Sequence, residues 1–170
     1  MRKLFLILMA LSPPLYASDG ACSFDKSRAV AFTSDKNVDV MRVTVEGETC
    51  KGSSLELSIT DSDGRLIHLH QESFGRWQWN DLEKAVTDYA EKLFQESIVS
   101  SSALAIDFRC EIEEPGCVPY ERNVVPMERY LEIRKSGIPM IKHSTGYESW
   151  GAWVYDKEEG EAVQVYQGGL

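Results

Sequence analysis

Residues 80–96, NDLEKAVTDYAEKLFQE, carry the pattern that decides the fold. Apolar side chains recur there at steps of three and four, the period of a helix with one buried stripe: Leu82, Ala85, Val86, Tyr89, Ala90, Leu93 and Phe94. Asn80 is the expected N-cap, and Glu83 can reach back to it as in a capping box. Burial of the large stripe residues contributes roughly 8–15 kcal/mol before conformational entropy is counted. Such a helix needs a sheet to pack on.

Segments on both sides of this helix alternate apolar and polar residues, as half-buried strands do. Residues 41–45 predict one strand. Residues 54–71 predict a hairpin around the turn Asp-Ser-Asp-Gly at 61–64, where glycine can adopt positive φ. The sequence therefore predicts an α+β fold: an antiparallel β-sheet with one main amphipathic helix, residues 80–96, packed on one face.

The remaining segments are less regular. Residues 18–37 predict an irregular arm with one edge strand, and residues 104–108 predict a further strand. Residues 127–135 fit either a short helix ending at Gly137 or a strand. A second hairpin is expected near the C-terminus, where Trp150, Val163 and their neighbours are β-prone.

Residues 1–17 have the features of a secretory signal peptide: Arg2 and Lys3, an apolar run at 4–11, and Ala17 as the small residue for cleavage. The run is too short to cross a bilayer, which needs about 20 residues. We therefore expect residues 18–170 to form a single α+β domain that is periplasmic or secreted and does not insert into the membrane.

The chain carries 27 acidic and 18 basic residues, a net charge of −9. Nucleic acids and anionic membranes would be repelled by this charge, whereas a cationic protein would be attracted. Charge alone therefore predicts a cationic protein as the partner and no nucleic acid.

Four cysteines form an even set in a chain expected to be exported, and this predicts disulfides. Pairing between nearest neighbours in sequence gives Cys22–Cys50 and Cys110–Cys117. A zinc site is the alternative, but no two cysteines have the Cys-x-x-Cys spacing. We expect no cofactor.

His68 and His70 are two apart on a predicted strand, so their side chains point to one face. With a third ligand, for which His143 is the only other histidine, they could bind zinc or copper. The alternative expectation is that both face solvent, while Ile67 and Leu69 are buried on the opposite face.

The acidic loop between Cys110 and Cys117 is the first candidate binding surface. Glu111, Glu113 and Glu114 lie on it, and the expected disulfide would close it. A rigid loop loses little entropy on binding, and its charge would steer it to a basic surface.

Aromatic side chains form a second candidate surface, because such residues are enriched at interface centres and can stack on sugar rings. The candidates are Trp77, Trp79 and Trp150, with Tyr147, Trp153 and Tyr155 as further members. The alternative is that these rings fill the core.

The sequence thus favours an exported, non-enzymatic binding protein that inhibits, or gives immunity against, a cationic enzyme acting on the cell wall. One alternative is a small exported hydrolase or a metal-binding protein that uses His68 and His70. Another alternative is an envelope assembly or carbohydrate-binding module that uses the aromatic residues.

Overall fold

The structure, a computed structural model, describes these parts of the chain: residues 22–34, 36, 38–78, 80–104, 122–146 and 149–169. Two antiparallel sheets and one main helix make up the fold, which confirms the predicted α+β class. The strands are divided between two sheets, where the sequence predicted one. No helix in these parts of the chain is long and apolar enough to cross a bilayer. The predicted signal peptide lies outside the described residues.

The first sheet contains four antiparallel strands in chain order. They are β1 (Phe24–Val30), β2 (Asp39–Glu46), β3 (Ser54–Thr60) and β4 (Leu66–Ser73). Alternation gives this sheet one apolar inner face, on which Met41, Val43 and Leu57 are fully buried. The hairpin predicted at 54–71 is confirmed as β3 and β4, and the N-terminal arm supplies β1 as an edge strand.

The main helix, α1 (Leu82–Glu96), packs on the inner face of the first sheet. The predicted stripe is the buried face, with Val86 and Ala90 almost inaccessible to solvent. The predicted N-cap is wrong by one residue: Asp81, not Asn80, accepts a hydrogen bond from the Lys84 amide at 3.1 Å. A negatively charged cap is favoured at the positive end of the helix dipole.

The second sheet contains five strands in the order β5-β7-β8-β9-β6. They are β5 (Ile98–Ser100), β6 (Arg122–Asn123), β7 (Pro139–Gly146), β8 (Ser149–Asp156) and β9 (Glu161–Gly169). The predicted C-terminal hairpin is confirmed as β8 and β9. The turn between them contains Gly160 at a φ of 72°.

Residues 127–135, which fit helix or strand by pattern, are helical: α2 is Met127–Ser136. Tyr130 is fully buried in a second core, which the inner residues of the second sheet form, and its ring lies against Tyr166. Met127 and Ile133 of the same helix are partly buried against this core. Gly137 ends α2 in the left-handed conformation, with a φ of 64°, as the sequence predicted.

The disulfide Cys22–Cys50 is confirmed and ties the segment before β1 to the turn between β2 and β3. The predicted pair Cys110–Cys117 lies outside the described residues. The strand predicted at 104–108 also lies outside them, except for Leu104, which is buried beside a 3-10 turn.

Candidate functional site

All three histidines of the chain lie together at the junction of the two sheets. His68 and His70 belong to β4, and His143 comes from β7, 75 residues beyond His68. His68 and His143 are only 7% and 4% exposed. The ring centroids of His70 and His143 are 4.1 Å apart. The structure thus brings the two predicted histidines to the one possible third.

The histidines of β4 point inward, and the expectation that they face solvent is wrong. His68 is paired with Ile59 of β3, so it shares the apolar inner face of the sheet. Leu69, expected to be buried, is 46% exposed on the outer face. Ile67 is buried as expected, because it is the extra residue of a β-bulge and interrupts the alternation along β4.

His68 and His143 are joined by a direct hydrogen bond between their Nε2 atoms, 2.9 Å apart. His143 Nδ1 lies 2.7 Å from the backbone oxygen of Ser144, so Nδ1 carries a proton and donates it. With Nδ1 protonated, the neutral His143 ring has its lone pair at Nε2. His68 must therefore donate from Nε2, and both tautomers are assigned by the hydrogen-bond network.

Burial keeps both imidazoles neutral. Burial, followed by the electrostatic effect of His70, lowers the pKa of His68 to about 4 and that of His143 to about 3, while the hydrogen bond to the Ser144 carbonyl opposes the shift at His143. At pH 7 the contact between β4 and β7 is therefore an N–H···N bond between two uncharged rings.

The ring of His143 is fixed by stacking as well as by hydrogen bonds. Trp153 of β8 lies parallel to it, with ring centroids 4.1 Å apart and an interplanar angle of 7°. Gly151, directly opposite His143 on β8, leaves room for this indole. His143 therefore contacts Trp153, His70 and His68 at once, which leaves it little rotational freedom.

Glu72 extends the polar cluster along the inner face of β4. Its Oε2 lies 3.6 Å from His70 Nε2, and the side chain of Glu72 is 10% exposed. Tyr89 of α1 donates its hydroxyl proton to the same oxygen at 2.8 Å. Helix α1 is thus connected through Glu72 to the histidines.

Burial, followed by the charge of Glu72 and its hydrogen bond, raises the pKa of Tyr89 far above its usual value, while a hydrogen bond from Ser144 opposes the rise. Tyr89 is therefore a permanent donor. The Ser144 hydroxyl also lies 3.1 Å from the Ser149 carbonyl oxygen, to which it can donate.

A cleft of about 580 Å³ opens beside this cluster, between α1 and the β7–β8 hairpin. Tyr89, Lys92 and Glu96 line it from α1, and His143 and Ser144 line it from β7. Cavities of this size accommodate small ligands. The polar cluster forms one wall of the cleft, while most of its hydrogen-bonding capacity is used within the protein.

The described lining of the cleft has the opposite charge balance to the whole chain. Among the residues that the structure describes, two lysines, Lys92 and Lys142, line it with a single carboxylate, Glu96. Lys142 Nζ lies 3.8 Å from the centre of the Trp150 ring. Within the described part of the chain neither lysine forms an ion pair. Two ammonium groups therefore face the cleft without a carboxylate partner.

The histidines are arranged to bind one another. Their centroid separation of 5.1 Å is close to the largest that a 2.9 Å contact between Nε2 atoms allows, so His68 and His143 meet end to end. Among the described residues, no three His, Cys, Asp or Glu side chains are arranged to hold a metal ion. Metal binding by His68 and His70 is therefore not developed further.

The structure describes only some of the other predicted site residues. Trp77 is half-buried, with its ring 4.9 Å from Phe74 and 5.2 Å from Tyr89. Trp150 is half-buried at 4.8 Å from Tyr166. Both rings are thus packed within the protein, and their contact with a partner stays a prediction. Trp153 stacks on His143, and Tyr155 is half-buried. The remaining candidates lie outside the described residues: Trp79, Tyr147, Glu111, Glu113 and Glu114.

Sequence reasoning missed Glu72, Tyr89 and Ser144 as members of the site. Glu72 continues the alternation of His68 and His70 on β4, and this signal was present in the sequence. Tyr89 was read only as a core residue of the helix stripe. A buried tyrosine hydroxyl usually finds a hydrogen-bond partner, and this requirement is the feature of the sequence that could have indicated a polar role for Tyr89.

Comparison of the chain with protein-family models, with curated proteins and with solved structures finds no significant match. Inference about function therefore rests on the residues of the site.

Proposed function

We propose that this chain is an exported binding protein without catalytic activity, and that the cleft between α1 and the β7–β8 hairpin binds an anionic group of its ligand. The observation that carries the proposal is the pairing of a 580 Å³ cleft with two lysines, Lys92 and Lys142, that have no ion-pair partner in the described part of the chain. An anion bound between these ammonium groups would give each of them a partner of opposite charge.

The polar groups on the cleft wall support binding over catalysis. Nucleophilic catalysis needs a hydroxyl beside a base that is free to take its proton. Both ring nitrogens of His143 are engaged, one by the Ser144 carbonyl and one by His68. The Ser144 hydroxyl lies against the Ser149 carbonyl, and the Tyr89 hydroxyl donates to Glu72. These wall residues therefore position one another and offer no free pair of nucleophile and base.

The test compares two probes of the same shape and opposite charge. Benzenesulfonate and phenyltrimethylammonium are titrated into the isotope-labelled protein, and backbone amide shifts are followed. We expect benzenesulfonate to shift amides of α1 near Lys92 and of β7 near Lys142, and phenyltrimethylammonium to leave them unchanged. Equal responses to both probes, or none, would contradict the proposal.

A matched pair of variants makes the test specific. Lys92→Ser combined with Lys142→Ser should weaken benzenesulfonate binding about tenfold, because each ammonium–anion contact at a partly exposed site contributes up to about 1 kcal/mol. Lys84→Ser removes an exposed lysine from the same helix but not from the cleft, and should change affinity little.

The net charge of −9 supports a second candidate function, in which the acidic residues of the chain bind a basic enzyme that acts on the cell wall. The Cys22–Cys50 disulfide is compatible with the required export. Lysozyme serves as the basic probe. We expect the protein to inhibit its activity, and the inhibition to weaken when Glu111, Glu113 and Glu114 are changed to Gln. No inhibition, or equal inhibition by both proteins, would contradict this second function.

A further inference from the structure

The His68–His143 bond joins the two sheets at a buried position beside the cleft. His68 lies on β4 of the first sheet, and His143 lies on β7 of the second. His143 and its neighbour Ser144 line the cleft. A change in this bond therefore changes how one wall of the cleft is held against the first sheet.

The first and the second added proton have different effects on the pair. His143 donates from Nδ1 to the Ser144 carbonyl, so its only free lone pair is on Nε2, where it accepts from His68. A first proton enters at His68 Nδ1 and leaves the contact intact, because one proton still lies between the two Nε2 atoms. A second proton, on His143 Nε2, sets two N–H groups against each other at 2.9 Å. The contact is therefore broken when both rings are charged.

The neighbouring groups do not offset a charge on His143. His70 of β4 lies with its ring centroid 4.1 Å from that of His143, and its electrostatic effect lowers the pKa of His143. Glu72 of β4 lies beside His70 and accepts from Tyr89 of α1. Trp153 of β8, stacked on the ring, is uncharged. An imidazolium at His143 therefore lacks a carboxylate in direct contact among the described side chains.

We propose that the His68–His143 pair is an acid-sensitive clasp: protonation of both rings separates β7 from β4 and lowers the affinity of the cleft for its anionic ligand. The second part rests on the proposed function. The strong burial of both rings places the transition well below neutral pH. At neutral pH the clasp is closed and the cleft wall is held in place.

Opening of the clasp is predicted to weaken anion binding in acid, whereas the change in charge alone would strengthen it. Carboxylates in general lose their charge in acid whereas ammonium groups keep theirs, so an unchanged cleft lined by lysines would bind an anion more tightly as the pH falls. Opening of the clasp moves His143 and Ser144 away and weakens binding instead. Benzenesulfonate keeps its charge throughout this range, so its affinity reports on the cleft alone.

The first measurement needs no ligand. The ring protons of the three histidines and the backbone amides are followed by NMR from pH 8 to pH 3. We expect the His143 ring to stay neutral until below pH 5 and then to titrate together with amide shifts in β4 and β7. Titration of His143 near pH 6.5, or titration without those amide shifts, would overturn the clasp.

His143→Gln and His68→Gln each keep a hydrogen-bonding group and remove one of the two rings that can be protonated. In both variants the shift of the β7 amides that accompanies histidine titration should therefore be lost. If either variant keeps the full β7 response, the clasp is wrong. If His143→Gln fails to fold, the titration of the unaltered protein decides alone.

The second measurement follows benzenesulfonate affinity, which should fall by up to about tenfold between pH 7 and pH 2 if the closed wall contributes about 1.4 kcal/mol to binding. Absence of binding at pH 7 contradicts the proposed function and leaves the NMR test of the clasp standing. Binding at pH 7 that strengthens in acid overturns the proposed effect of the clasp on the cleft and leaves the binding proposal intact.

Discussion

The hydroxyl of Tyr89 donates to the carboxylate of Glu72 at 2.8 Å, and this bond connects helix α1 to the inner face of the edge strand β4. Glu72 is paired with the fully buried Leu55 on β3, so its carboxylate lies next to the core. A carboxylate in such a place needs donors. The bond also fixes the wall of the cleft, which Tyr89 lines.

Tyr89→Phe should lower the free energy of unfolding by about 1–3 kcal/mol, because it leaves the Glu72 carboxylate without its donor on α1. Urea denaturation followed by circular dichroism measures the change. Tyr155→Phe is the control, since the Tyr155 hydroxyl accepts only a 3.4 Å bond from the exposed Arg65 and should matter little. Equal midpoints for the two variants would show that the Glu72 bond does not stabilise the fold.

Asp39→Ala should be among the more destabilising single substitutions, with a cost of about 3 kcal/mol or more. Asp39 is fully buried and accepts from the amides of Phe32 and Thr33, at 2.9 and 2.6 Å, and from the Thr33 hydroxyl at 3.0 Å. Hydrogen bonds to a buried carboxylate are strong and costly to leave unmade. Asp63→Ala, at an exposed turn residue, is the matched control, and similar urea midpoints would refute the prediction.

Removal of the Cys22–Cys50 disulfide should cost about 3–4 kcal/mol, the chain-entropy value for a bridge between residues 28 apart. The double variant Cys22→Ala, Cys50→Ala tests this bond without reducing any other. Urea denaturation of the variant and of the unaltered protein under oxidising conditions gives the difference. A cost below about 1 kcal/mol would mean that strands β1 to β3 are held by packing alone.

Acid should destabilise the protein through its buried histidines. Burial lowers the folded-state pKa of His68 to about 4, against 6.5 in the unfolded chain, so between these values the unfolded chain binds more protons. Stability present above pH 6.5 is therefore lost as the pH falls, by up to about 3 kcal/mol for this group at pH 4. The loss from pH 7 to pH 4 should be smaller in His68→Gln, and an unchanged loss would contradict the assigned burial.

Gly151→Ala should disturb the stack of Trp153 on His143. A Cβ at position 151 would collide with the indole of Trp153 and come within 2.8 Å of the Gln164 amide nitrogen. Such overpacking costs about 1–3 kcal/mol. Tryptophan fluorescence and urea denaturation both report the change. Gly75→Ala is the control, because a Cβ there meets nothing closer than 3.6 Å, and an equal effect would argue against the close fit at Gly151.

Predictions made from the spacing of apolar residues were confirmed where the spacing fits only one kind of secondary structure. The stripe of α1 and the alternation of β2 and β3 each leave a single way to bury their apolar side chains. Sequence did not decide residues 127–135. Leu131 and Ile133 suit a strand, while Met127, Tyr130 and Leu131 suit a helix. The helix was selected because it brings Tyr130 into the second core.

The candidate site was less predictable than the fold. The alternation of His68 and His70 was visible, but apolar Leu69 seemed the better choice for the buried face. The register of β4 against β3, with its bulge at Ile67, put the histidines inside instead. No local signal connects them with His143, since that contact depends on how the second sheet packs against the first.

The sequence alone determined the α+β class, the main helix α1 and most of the strands. These elements follow from the regular spacing of apolar residues along short segments, which fixes how their side chains can be buried. Only the tertiary structure decided which face of β4 is buried and which residues meet at the cleft. Those outcomes depend on strand register and on packing between two sheets, and both are set by contacts between residues far apart in the chain.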